Sequence, residues 1–252
     1  MLNKLFALRG AAPVYEIYSP QQYALAAVSV LFIAVALFAS RRMDRKEVER
    51  VIKRCVLIMS LSELVKIMFN LTVNKQAHYL PLYYCSIHLY VGWLSAYGKG
   101  RLKRMGDVFL LVGGLVGGIS YFVSPITTAG KYPVFHFITI QSFAYHSIMI
   151  YLSVLFIMTD YIRLKMGDVW YYITPVILIS IAAYLVNMRL GTNYMFISRN
   201  RPGTPIEIVY NASPGLFPLM ITFWQTLPPF FVVQMIAFLC RRIKEHKKSL
   251  TA

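Results

Sequence analysis

The chain is 252 residues long, 58% hydrophobic and 15% aromatic, with 14% charged residues and a formal net charge of +16. A soluble domain carries roughly 25% charged residues, so an ordinary water-soluble globule is excluded, while the length suits one compact domain. The surplus Lys and Arg stand in short runs between apolar stretches, which is the pattern of membrane topology and of anionic headgroups at the cytoplasmic face, not of a nucleic-acid footprint.

Residues 1–20 show no basic segment running directly into an apolar core with a small-residue cleavage site, so the first span is expected to remain as a signal anchor. About 20 apolar residues cross the hydrocarbon layer. Seven stretches qualify: residues 23–40, 51–71, 80–97, 107–124, 136–158, 169–190 and 216–240. The expected fold is all-α, a polytopic membrane helical bundle of about seven transmembrane helices in a single integral domain. Linkers 41–54, 99–104 and 163–165, with the tail beyond residue 240, hold 18 of the 26 Lys and Arg. The positive-inside rule makes that side cytoplasmic, with the N-terminus outside, the C-terminus inside and the plasma membrane as the location.

In the fourth stretch, Gly113, Gly114, Gly117 and Gly118 form two overlapping small-xxx-small pairs, read first as close packing within the chain. The longest linker, 191–215, lies on the outer side and carries Arg199 and Arg201. It reads as an interfacial loop or, less plainly, as a lid whose arginines lie near phosphate.

Polar residues inside the spans recur at helical spacing. The second span has Ser60, Glu63, Lys66 and Asn70; the third has Cys85, His88, Gly92 and Ser95. The fifth has Thr139, Ser142, His146 and Ser153, the sixth Ser180, Tyr184 and Asn187, and the seventh Gln225 before Pro228 and Pro229. Such groups are costly in lipid and should face the bundle interior, and Glu63 and Lys66 can neutralise each other. Cys85 should lie about 8 Å, and His146 about 15 Å, below the outer ends of their helices.

Three chemistries suit these residues. A thiol needs a neighbouring base to act as a nucleophile. Cys85 has His88 one turn away and His146 on the fifth span, and Tyr84, Gln141 or Asn187 could donate to an oxyanion. Cys85, His88, His146, His78 and His136 are metal-ligand types, but they lack the tight spacing of a metal motif. Amides, histidines and an ion pair near the midplane also suit a transporter or small-ligand site. Taken singly, a membrane Cys is a small hydrophobe and a membrane His an interhelical hydrogen-bonding group; Cys55 and Cys240 have no polar companions and read as structural.

Four segments, in this order, resemble the YwaF family of bacterial membrane proteins, relatives of the vertebrate acyltransferase transmembrane protein 164. They are Leu80-Pro81-Leu82-Tyr83-Tyr84-Cys85-Ser86, Tyr132-Pro133-Val134-Phe135-His136-Phe137, Gln141 through His146, and Asn193-Tyr194-Met195-Phe196. The resemblance runs from the first span to the last. It implies a lipid acyltransferase in which a cysteine, matched by Cys85, takes a fatty acyl group as a thioester and passes it on. The fifth-span histidine matches His146, as general base and then general acid. The androgen-inducible hydrolase family is similar more remotely and uses threonine. This sequence departs at Tyr84, where many relatives carry a histidine two residues earlier or nearby, and His88 would substitute in part.

The implied activity is ping-pong transfer from a membrane phospholipid to a lyso-lipid or lipidated protein. Tyr84, Gln141, Asn187 and Asn193 would position the carbonyl, and Glu63 and Lys66 would hold the polar interior or meet the headgroup. No cofactor or metal is called for. The alternatives are a transporter or binding protein, or a lipid hydrolase with water as acceptor.

Overall fold

The structure is a computed structural model describing residues 5–10 and 13–250, and every regular element among them is helical. Six helices among the described residues are long and apolar enough to cross a membrane. They are α1 (Pro20–Ser40), α2 (Arg45–Thr72), α4 (Gly100–Val123), α5 (Phe137–Met158), α6 (Val169–Leu190) and α8 (Phe217–Leu250). The chain is therefore a polytopic membrane protein.

Local chemistry sets where the helices begin. Ser19 caps α1 through the Gln22 amide, with Pro20 in the first turn. Asp44 and Glu47 close a capping box at the start of α2. His136 caps α5, its Nδ1 accepting from the Ile138 N–H.

The third expected span departs from the rest. After Pro81 the backbone is extended at Tyr83, a 3₁₀ turn covers Tyr84–Ser86, and helix α3 occupies only Ile87–Tyr97. Proline has no N–H and disfavours helix at the residue before it. Eleven residues rise about 16 Å, half of a hydrocarbon layer about 30 Å thick.

The chain forms two compact units, Met1–Leu80 with Gly113–Tyr161 and Pro81–Val112 with Ile162–Ala252. In the first, α1 and α2 pack on α5. Gly114 and Gly118 bring α4 close to α5: a Cβ on Gly114 would lie 2.4 Å from Ser153 Oγ, and one on Gly118 2.4 Å from Ile150 Cγ1. The Gly114/Gly118 pair thus serves packing within the chain. The segment ahead of α1 pairs with the loop ahead of α5, through Gly10 N–H to Lys131 O, Gly130 N–H to Tyr15 O and Tyr15 N–H to Tyr132 O.

In the second unit, α6 packs on α8 and α3 on α6. Gly106 lets α3 and α4 touch, since a Cβ there would lie 2.3 Å from the Ser95 amide nitrogen. Below this crossing Ser95 donates to the buried Asp107, which also pairs with Lys103, and Arg104 pairs with Asp168.

Linker 191–215 is neither a bare loop nor wholly at the surface. Tyr194, Met195 and Ile197 are buried, and Met195 and Phe196 hold left-handed backbone at φ +56°. A short helix α7 (Pro205–Ala212) then leads towards α8.

Candidate functional site

In the second unit, Cys85 is half-buried within the 3₁₀ turn that opens α3. His88 follows one turn later and is 2% exposed, its ring edge-on to Phe109 with centroids 4.9 Å apart. Its Nδ1 lies 3.2 Å from the Cys85 carbonyl oxygen. A carbonyl only accepts, so Nδ1 carries the proton and Nε2 holds the lone pair. That Nε2 is buried and has no hydrogen-bond partner.

Beside them runs a chain of phenols. Pro229 has no N–H, so it frees the Gln225 carbonyl one turn earlier in α8. The Tyr172 hydroxyl donates to that oxygen at 2.9 Å, and Tyr84 lies 2.6 Å from the Tyr172 oxygen. Tyr172 has one proton, engaged by Gln225, so Tyr84 donates to Tyr172. The Tyr84 proton is therefore committed within the fold and is not held ready for an oxyanion.

The same holds for both asparagines. Asn187 is buried; its Oδ1 accepts from the Tyr194 amide and Thr192 Oγ1, and its Nδ2 donates to Tyr194 O and Ser198 Oγ. Asn193 accepts from the Ser198 and Arg199 amides and donates to Arg199 O. Together they build the 194–199 turn, and Gln225 Nε2 adds a bond to Met195 O. Arg199 is exposed on this turn, and the Arg201 guanidinium lies 5.9 Å from the Phe196 ring centre.

In the first unit, Glu63 is 2% exposed and ion-paired with Lys66, as their spacing suggested. Gln141 Nε2 makes two long contacts, each 3.4 Å, to Glu63 Oε2 and Ser62 Oγ. Of the four carbonyl-positioning candidates, Gln141 has the most weakly held donor. Ser142 Oγ donates to Gln141 Oε1 at 3.3 Å. One turn on, His146 Nδ1 lies 2.7 Å from Ser142 O, so it carries the proton and the lone pair sits on Nε2. The imidazole stacks on Tyr121, with centroids 3.8 Å apart and planes 8° from parallel.

His136 has the opposite tautomer. Its Nδ1 accepts from Ile138 N–H, so the Nε2 that faces Ala7 O at 3.0 Å must donate. Burial holds its imidazole below the usual value, with the Ala7 bond a smaller opposing cause. His78 lies exposed in the loop after α2. Among the described residues no three His, Cys, Asp or Glu side chains gather as a metal site, and Cys55, Cys85 and Cys240 form no disulfide.

The sequence reading missed Tyr121 and Tyr172, because a tyrosine in an apolar stretch reads as core. The one available signal for Tyr172 was Pro229, which announces a carbonyl in need of a donor without saying who supplies it. Compared with known proteins, the chain matches the family model described as TMEM164 family over residues 17–241. No curated protein and no solved structure matches.

Proposed function

The chain belongs to the TMEM164 family, and from that premise we propose that it is a lipid acyltransferase working through a thioester on Cys85, with His146 as the base. The observation that carries the reading is the setting of Cys85: a half-buried thiol at the start of a half-length helix, one turn from a buried imidazole. Two histidines, His88 and His146, keep a neutral tautomer whose Nε2 can accept a proton, and the family resemblance favours His146.

In the first half-reaction the Cys85 thiol loses its proton to the base, for which the family resemblance favours His146, and the sulfur attacks the ester carbonyl of a phospholipid. The tetrahedral oxyanion collapses, the carbon–oxygen ester bond breaks, and the imidazolium returns its proton to the departing lyso-lipid oxygen. In the second, His146 takes the proton of an acceptor hydroxyl or amine, which attacks the thioester and restores the thiol. By its own bonding Gln141 is the least engaged donor among the four carbonyl-positioning candidates, while Tyr84, Asn187 and Asn193 shape the surroundings. Glu63 and Lys66 hold the polar interior, and Arg199 and Arg201 meet headgroup phosphate. The basic linkers support an orientation with the N-terminus outside, the reaction in the outer half of the plasma membrane and anionic headgroups at the cytoplasmic face.

Purified protein incubated with a fluorescent phospholipid should gain a hydroxylamine-sensitive acyl mass. Cys85→Ala should abolish it, and Cys55→Ala and Cys240→Ala should leave it. His146→Ala should slow its appearance by about 10²–10⁴-fold, the usual worth of a general base. An adduct that survives Cys85→Ala would end the proposal, and a rate that falls with His88→Ala but not His146→Ala would move the base to α3.

A further inference from the structure

Tyr121 is held on three sides within the first unit. Its ring lies flat on His146 at 3.8 Å and meets the Phe143 ring edge-on at 5.2 Å. Its hydroxyl lies 2.8 Å from Thr128 Oγ1, and the Tyr15 hydroxyl lies 2.6 Å from the same atom. Thr128 directs its own proton at Pro125 O, so its oxygen is left to accept within this phenol cluster. Burial pushes the Tyr15 phenol up to about 12, its bonds to Thr128 and Tyr121 opposing, which keeps it protonated for that role. Thr128 is 1% exposed, Tyr15 3% and Tyr121 6%, so the anchor is closed to water. Gln22 fixes the end of the same helix by donating to the carbonyls of Phe122 and Val123.

A ring face so held does two things to an imidazole. With Nδ1 tied to Ser142 O, it leaves the ring one plane, and so Nε2 one direction. It also presents the negative face of a π system to any positive charge that the imidazole acquires, an attraction that strengthens where water is absent. We infer that Tyr121 is the positioning residue for His146, holding the imidazole plane and steadying the imidazolium formed when Cys85 is acylated. This rests on the acyltransferase reading above. Other groups that bear on His146 include Tyr145, whose ring centre is 5.8 Å away on α5, and the Glu63–Lys66 pair reached through Gln141 and Ser142.

The test is the rate of Cys85 acylation as a function of pH and donor lipid concentration. Tyr121→Leu removes the face and should lower the maximal rate roughly tenfold, the scale of a desolvated cation–π contact, with little change in the donor concentration at half-maximal rate. Its rate–pH profile should also shift along the pH axis. Tyr121→Phe keeps the ring and loses only the anchor, and should restore most of the rate and the wild-type profile. Thr128→Val should resemble Tyr121→Phe. A merely structural role would make Phe and Leu variants lose activity in step with folded fraction, with the profile unmoved, and that result would overturn the inference. Wild-type protein that forms no adduct would overturn the acyltransferase reading itself, whereas a wild type that acylates alongside an unimpaired Tyr121→Leu variant would overturn this inference alone.

Discussion

Tyr172 matters because Pro229 sits one turn after Gln225. The proline leaves a carbonyl without its helical partner, and a tyrosine from another helix supplies the proton. Tyr172→Phe should cost about 1–3 kcal/mol, the penalty of an unmade buried hydrogen bond, measured as a lower Tm in detergent. Pro229→Ala restores an N–H to that carbonyl, so the loss on Tyr172→Phe should shrink markedly in its background. The Glu63–Lys66 pair behaves differently. Lys66→Met leaves a buried carboxylate without its cation and should cost about 3–5 kcal/mol, while Lys66→Met with Glu63→Gln should recover most of that. Residue identity was legible where spacing carried it: Glu63 with Lys66, and Ser142 with His146, lie on helical repeats, and Glu63, Ser142 and His146 are buried. Tyr121 and Tyr172 were not, because their partners come from distant segments, and nothing local separates them from a core tyrosine.

At the level of the helix, three glycines show what controls close approach. A Cβ on Gly106 would press on backbone at Ser95 and Val91, one on Gly114 on backbone at Met149 as well as the Ser153 hydroxyl, and one on Gly118 first on the flexible Ile150 side chain. Ala substitution should therefore lower Tm most at Gly106 and least at Gly118. The α5 cap adds a pH dependence. The His136 imidazole is held below its ordinary value, so its contribution is complete above about pH 6.5 and is lost as the pH falls below that. Once protonated, Nδ1 can no longer accept from Ile138. His136→Asn keeps a cap without a titrating ring, and should flatten the fall in Tm between pH 7 and 5 relative to wild type. Hydrophobic runs made most elements readable in advance. The half-length α3 escaped because a run of suitable length says nothing about where Pro81 and the Tyr83 backbone interrupt it.

For the molecule as a whole, the long apolar helices follow from composition, and the family match covers nearly the full chain. The proposed orientation has its own check: a fluorescent protein fused after residue 252 should mature in the cytoplasm, and a phosphatase inserted near residue 203 should be active outside. The turn after α6 was beyond sequence reading, since its burial depends on bonds to Asn187 and Gln225. The shortness of α3 carries one more consequence. Its far end adjoins the basic linker at 99–104, so its near end, and Cys85 with it, lies about 16 Å deeper. Irregular polypeptide at membrane depth must have its polar groups met by protein or water, and Tyr90 already supplies a proton to Pro81 O. On the proposed mechanism, moisture that reached residues 81–83 would arrive beside the sulfur, so an acyl-enzyme left without an acceptor should decay by slow leakage, and its lifetime would gauge how dry that turn is.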